Sequence, residues 1–204
     1  MAREYIEAIV TALILALLIR SFVVQAFKIP SGSMIPTLLI GDHLLVNKFV
    51  YGVEIPLLDK KVLTFSSPKK GDIIVFKFPQ DQTRDFIKRV IATSGDTVEI
   101  VNQKIYVNGK ILNEPYIRHV DNSGKKDVPK RDILPPLTVP EGDVFVMGDN
   151  RDQSYDSRYW GFVDLSLVRG KAMLIYWSWD NEKMWPFFNG QGWPRFDRIG
   201  GLVK

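Results

Sequence analysis

The sequence has no cysteine and only two histidines, His43 and His119. Without cysteine there can be no disulfide, no thiolate zinc site and no cysteine nucleophile. No HExxH or other metal-ligand spacing appears, so neither a metal nor any other cofactor is expected. Strong charge is also missing: 27 basic residues face 23 acidic ones, for a net +4. That mild excess suits a surface near anionic lipid, whereas nucleic-acid binding needs a concentrated basic patch. With no RNP-type strand, Cys/His finger or basic helix, nucleic acid is not an expected partner. What the chain does have is 204 residues, 46% of them apolar, with 15 glycines and 12 prolines. This describes one domain, or one with a small appendage, with enough apolar content for a core and a turn-rich, mostly β character.

The one long apolar run is N-terminal. Ala8 to Ile19 is uncharged, Arg20 follows, and apolar residues resume to Phe27. The uncharged part falls short of the roughly 20 residues of a spanning helix, but Tyr5 to Phe27 suffices if Arg20 snorkels to the interface. A cleavable signal segment ending near Val24-Gln25-Ala26 and a buried core helix are competing readings. We read residues 1–27 as an uncleaved, single-pass transmembrane anchor. Basic residues on both sides leave its orientation open.

Beyond Phe27, Gly-Asp precedes a strand-like run four times, at Gly41-Asp42, Gly71-Asp72, Gly95-Asp96 and Gly142-Asp143. Glycine supplies turn dihedrals, and aspartate bonds nearby backbone amides. Asn102-Gln103 and Asn108-Gly109 mark tight hairpins between Val98 and Leu112. Asp121 to Pro136 reads as a polar surface loop, and Val168 to Ser178 as a further strand. The predicted architecture is an antiparallel β core from residues 28–96 and 144–204, with a small β-hairpin subdomain inserted at 97–143. Seven C-terminal aromatics, Trp177, Trp179, Trp185, Phe187, Phe188, Trp193 and Phe196, fit either a core or a belt at lipid headgroups.

Three segments carry chemistry. In Pro30-Ser31-Gly32-Ser33-Met34-Ile35-Pro36 the prolines restrict the backbone and Gly32 permits close approach, so a serine here can serve as a nucleophile. On composition alone, a Pro/Gly/Ser linker between anchor and domain is the commoner outcome. Lys88, in Phe86-Ile87-Lys88-Arg89-Val90-Ile91, is flanked by apolar residues. Desolvated there it would titrate low and act as a neutral base; on a solvent face it would be an ordinary lysine. Gly148 to Gly161 mixes acids, arginines and hydroxyls, as a solvated loop or as a paired network.

In these segments (PSGSMIPTL at Pro30–Leu38, FIKRVIATSGD at Phe86–Asp96, GDNRDQSYDSRYWGFV at Gly148–Val163) the sequence resembles bacterial type I signal peptidases. The resemblance implies a membrane-bound serine endopeptidase with Ser33 as nucleophile and Lys88 as general base. It implies an oxyanion hole from the Ser33 amide and the Ser31 hydroxyl, and Ser154 orienting the Lys88 amine. Arg89 would pair with Asp149, while Asp156 and Arg158 would be structural supports. Ile29, Pro30, Met34, Leu38, Phe86 and Ile87 would wall shallow pockets for small side chains at the first and third positions before the cut. The implied partners are exported preproteins and membrane lipid, at the extracytoplasmic side of the bacterial inner membrane. Thr93-Ser94-Gly95-Asp96 lacks the proline the family often shows there, and Gln153 and Tyr155 depart from its commoner choices around Ser154. Other readings are a Ser/Lys protease with a different substrate and a non-catalytic anchored β module. The distance from Ser33 Oγ to Lys88 Nζ separates the last from the rest.

Overall fold

The computed structural model describes residues 2–18, 23–55, 60–63, 66–119, 133–180 and 192–204. Helix α1 spans Ala2–Leu18, 17 residues. Its apolar side chains, including Ile6, Ile9, Leu13 and Ile14, are exposed instead of packed on the protein. The anchor predicted as far as Phe27 is corrected here. Val24–Lys28 is strand β1, paired antiparallel with β2 (Asp42–Asn47) from Val24↔Asn47 to Lys28↔His43. The sheet ladder satisfies the backbone groups that a longer helix would have bonded internally. At ~1.5 Å per residue α1 reaches about 25 Å, short of a bilayer's hydrocarbon core. Among the described residues no helix is long and apolar enough to cross a membrane. Arg20 lies outside the described residues.

The remaining strands are β3 (Val53–Ile55), β4 (Lys60–Leu63), β5 (Ile73–Phe78), β6 (Asp81–Thr93), β7 (Thr97–Val101), β8 (Lys104–Val107), β9 (Lys110–Ile111), β10 (Ile133–Thr138), β11 (Asp143–Met147), β12 (Val163–Asp164), β13 (Val168–Asp180) and β14 (Trp193–Pro194). The main sheet runs β1-β2-β13-β5-β6-β11-β12, with β14 on β13. A four-stranded sheet, β10-β7-β8-β9, and the β3-β4 pair lie apart from it. The mostly β architecture is thus as the composition indicates.

Four reverse turns enter the sheets with glycine at positive φ: Gly41 and Gly71 at 91°, Gly95 and Gly142 at 82°. In each, the aspartate N–H donates to the carbonyl three residues back. In three, the aspartate carboxylate also accepts that residue's N–H: Leu39 to Asp42, Lys69 to Asp72 and Thr93 to Asp96. The fourth turn starts at Pro140, which has no N–H to give. Asp143 consequently lacks this bond, and desolvation and the nearby Asp164 carboxylate hold its pKa above the ordinary range. Asn102 and Gln103, then Asn108 and Gly109, adopt the paired positive φ of tight hairpins.

The loop predicted to Pro136 is corrected at its end. Ile133–Thr138 is strand β10, with its register broken between Leu134 and Leu137, where Pro135 and Pro136 offer no ladder donors. Residues 120–132 lie outside the described residues, as do Trp185, Phe187 and Phe188. Trp177 and Trp179 are half-buried and stack at 6.2 Å, and Phe196 is exposed.

Candidate active site

Ser33 sits in a single 3-10 turn, Gly32–Met34, a few residues beyond β1. Ile29 N–H donates to Asp42 O and Gly41 N–H to Ile29 O, so the loop from Pro30 to Ile40 is pinned at its base. Ile29, Met34 and Leu38 are wholly buried in one apolar cluster, with Leu44, Val75 and the partly buried Ile87. That packing fixes the turn from beneath and turns Ser33 toward β6.

Lys88 lies on β6, antiparallel to β5 with Ile74 as its partner. Its Nζ is 2.8 Å from Ser33 Oγ and 3.0 Å from Ile87 O. The two residues are only 8% and 4% exposed. Lys88 makes no ion pair with any described carboxylate. Burial pulls its pKa down from 10.5 to about 8; the more distant Asp156 and Asp149 carboxylates oppose this, and Arg158 adds to it. A cavity of about 430 Å³ opens over the pair, lined by Pro30, Ser31, Arg84, Phe86, Ile87 and Tyr155 among others.

The other sequence-predicted residues fall into three groups. Ser31 caps the Ser33 turn with its hydroxyl uncommitted to the helix end, and it lines the cavity. Pro30, Phe86 and Ile87 line the cavity too, whereas Ile29, Met34 and Leu38 do not line it and belong to the buried cluster against which Ile87 packs. Arg89 and Asp149 meet in a buried two-bond pair, Nε–Oδ1 2.8 Å and Nη2–Oδ2 2.7 Å. Arg158 and Asp156 do the same at 2.8 and 2.9 Å, and Asp156 also accepts the Gly148 N–H. Ser154 is buried, but its Oγ has no hydrogen-bond partner among the described residues, so the expected bond to the Lys88 amine is not formed. The amine's donors already reach Ser33 Oγ and Ile87 O.

Three positioning contacts were not legible in the sequence. Asn150 holds the Ser33 turn twice, its N–H donating to Ser33 O (3.1 Å) and its Nδ2 to Gly32 O (3.0 Å). Thr37 Oγ1 donates to Asp149 Oδ2 at 2.5 Å, tying the turn to the Arg89 pair. Arg89 also donates to Gly71 O and Lys204 O, and lies 3.8 Å over the Tyr116 ring. Asn150 stood inside a polar motif whose members look alike on composition; Thr37 and Tyr116 carried no signal. Gly148 has a steric role: a Cβ there would come within 2.4 Å of Ser33 O and 2.3 Å of Ser154 Oγ.

His43 packs edge-on against Tyr176, and His119 Nδ1 lies 3.6 Å from Asp152. Neither lines the cavity over Ser33. Among the described residues no group of three His, Cys, Asp or Glu side chains is placed to hold a metal ion.

Residues 2–177 match the signal peptidase family, peptidase S26. Signal peptidase I of Pseudomonas aeruginosa is 37% identical over 227 residues, covering 97% of this chain and 78% of that protein. Signal peptidase I of Aquifex aeolicus is 36% identical, covering 86% of this chain and 84% of that protein. Among solved structures, a signal peptidase I from Enterococcus faecalis is 36% identical and covers 52% of this chain and 97% of that one, with a TM-score of 0.43.

Proposed function

Because this chain belongs to the signal peptidase family, peptidase S26, we propose that it is a membrane-bound serine endopeptidase that removes signal peptides from exported preproteins through Ser33 and Lys88. The observation that carries this reading is the 2.8 Å approach of Lys88 Nζ to Ser33 Oγ, with the lysine pKa lowered to about 8. At neutral pH roughly a tenth of such a lysine is free amine, enough for a base. The Ser33 hydroxyl donates its proton to Nζ as Oγ attacks the carbonyl of the residue before the cut. The oxyanion is received by the Ser33 N–H and the Ser31 hydroxyl. The Lys88 ammonium then protonates the leaving amine, and the freed amine activates water against the Ser33 ester.

Once protonated, Lys88 has three donors for the two acceptors now beside it. The buried, unpartnered Ser154 hydroxyl is our candidate for the third, which keeps Ser154 as the base-orienting residue. Arg89–Asp149 and Asp156–Arg158 serve as supports. Small side chains at the first and third positions before the cut would rest against Pro30 and Ile87, over Ile29, Met34 and Leu38, with Phe86 bordering the same cavity from the opposite face of β6. The apolar, unpacked α1 together with the residues after it would seat the chain in the bacterial inner membrane, with the site on the extracytoplasmic face. The β core and the four-stranded sheet are read as a catalytic core and an inserted subdomain, 97–143. Cleavage of a reporter bearing an Ala-x-Ala site by the detergent-solubilised chain, and its loss in Ser33→Ala, tests the proposal. Equal cleavage by the two would sink it.

A further inference from the structure

Strand β6 is paired unequally on its two edges. Along β5 it is bonded from Arg89 back to Asp85, and again at Asp81 after a register shift between Lys77 and Phe78 that leaves Gln82 to Arg84 without β5 partners. On the other edge β11 covers only Arg89 to Thr93. No described strand pairs with that edge from Asp81 to Lys88, and the cavity over Ser33 runs along it as far as Arg84 and Asp85. An extended chain adding to a free strand edge uses its backbone for affinity and its alternate side chains for selectivity.

Side chains on a strand alternate between faces. Ile87 packs on Ile29, Met34 and Leu38, beneath the proposed pockets for the first and third residues before the cut. Arg84, Phe86 and Lys88 share the opposite face. The Arg84 guanidinium and the Lys88 amine each lie 5.4 Å from the Phe86 ring centroid. A substrate strand running beside β6 therefore turns its second and fourth residues toward this face. The second is level with Phe86, and the fourth, about 7 Å further at ~3.3 Å per residue, is level with Arg84.

The charges around Arg84 leave it positive toward the groove. Asp85 also lines the cavity, but it alternates to the other face of the strand and lies 3.6 Å from Arg169. Asp81 feels Arg84, but its Oδ1 accepts from both the Thr83 N–H and hydroxyl. Gln153 and Tyr155, which also line the cavity, are uncharged.

Resting on the peptidase reading above, we propose that Arg84 is a specificity-determining residue that favours an acidic side chain, and disfavours a basic one, at the fourth position before the cut. The interaction is solvent-exposed, so it sorts substrates modestly and is weakened by salt.

The test uses the full chain in detergent and three peptides with alanine at the first and third positions, carrying Glu, Gln or Lys at the fourth. Wild type should show kcat/KM in the order Glu, Gln, Lys, with about a five-fold spread at low salt that narrows at about 0.5 M NaCl. The difference should sit in KM, since the contact is remote from the reacting bond. Arg84→Gln should flatten the series and Arg84→Glu should reverse it. The Gln peptide normalises each variant, so a general loss of activity cancels. If wild type and Arg84→Glu cleave all three peptides with the same ratios, Arg84 does not read the substrate. If wild type cleaves none of them, the peptidase reading fails and this one with it.

Discussion

Lys88 and Arg89 are neighbours on one strand, both cationic in water and both buried, yet their surroundings treat them oppositely. Arg89 faces a carboxylate that takes two of its donors, and two carbonyls and an aromatic face take up more of the guanidinium. Lys88 faces one hydroxyl and one carbonyl, with its nearest influential carboxylates too distant to bond it. Burying a charge is tolerable where it is paired and costly where it is not, so Lys88 is pushed toward the neutral amine. The residue types suit this division. Arginine cannot shed its proton in a protein and offers five fixed donors for structure; lysine loses its charge readily once desolvated. The β pleat alone, by turning consecutive side chains to opposite faces, separates a cation with a counter-ion from one without.

The comparison breaks most visibly at Lys88 itself. Lys88→Met and Ser33→Ala should each lower kcat/KM on an Ala-x-Ala reporter by about a thousand-fold or more, because the two act as a unit. Lys88→Met should nevertheless melt no lower than wild type at neutral pH, since methionine removes an unfavourable charge and keeps the volume. Substantial cleavage by Lys88→Met would show that the base lies elsewhere. Lys88→Arg sharpens the point: it restores a permanent charge and should be both inactive and less stable.

Next comes the paired cation. Asp149→Ala leaves Arg89 buried without its counter-ion and frees Thr37, and should cost about 3–5 kcal/mol in urea unfolding. If the Asp149→Ala midpoint matches that of wild type, Arg89 is not held as described.

The third effect is continuous in pH. With a folded pKa of about 8 against 10.5 unfolded, Lys88 binds fewer protons in the native state. Stability is therefore lost as pH falls from about 10.5 to about 8, by roughly 3 kcal/mol, and this loss stops growing below about 8. Over the same groups kcat/KM should climb about tenfold per pH unit up to near 8 and then level off. An ascending limb centred near 10.5 would mean that the lysine is not desolvated when it acts. Lys88→Met should flatten the stability slope between pH 8 and 10.

The smallest effects belong to the histidines. His43→Ala and His119→Ala should leave kcat/KM within about two-fold of wild type, as surface substitutions do. A large loss in either would put an imidazole back into the mechanism.

Punctuation was the most readable part of the sequence. A glycine followed by aspartate before a β-branched run encodes a positive-φ turn and its own side-chain cap, all within four residues, so local chemistry suffices. Asn-Gly marked its hairpin for the same reason. The order of the three motif segments pointed to the family. The end of the N-terminal helix was not readable: Val24–Lys28 has the apolar character of the run before it, and only pairing with β2 makes it a strand. The prolines at 135 and 136 read as loop because they lack donors, yet an edge strand with a broken register accepts them.

By itself, then, the sequence determined the turns, the β character and the short set of residues able to do hydrolytic chemistry, since these depend on neighbours along the chain. The tertiary structure alone decided that Ser33 and Lys88 meet across 55 positions, that Asn150 and Thr37 hold the Ser33 turn, and that one of two adjacent cations is left without a counter-ion. A lysine's protonation depends on what surrounds it in space, and no stretch of sequence states which distant carboxylate, carbonyl or apolar wall will fill that volume.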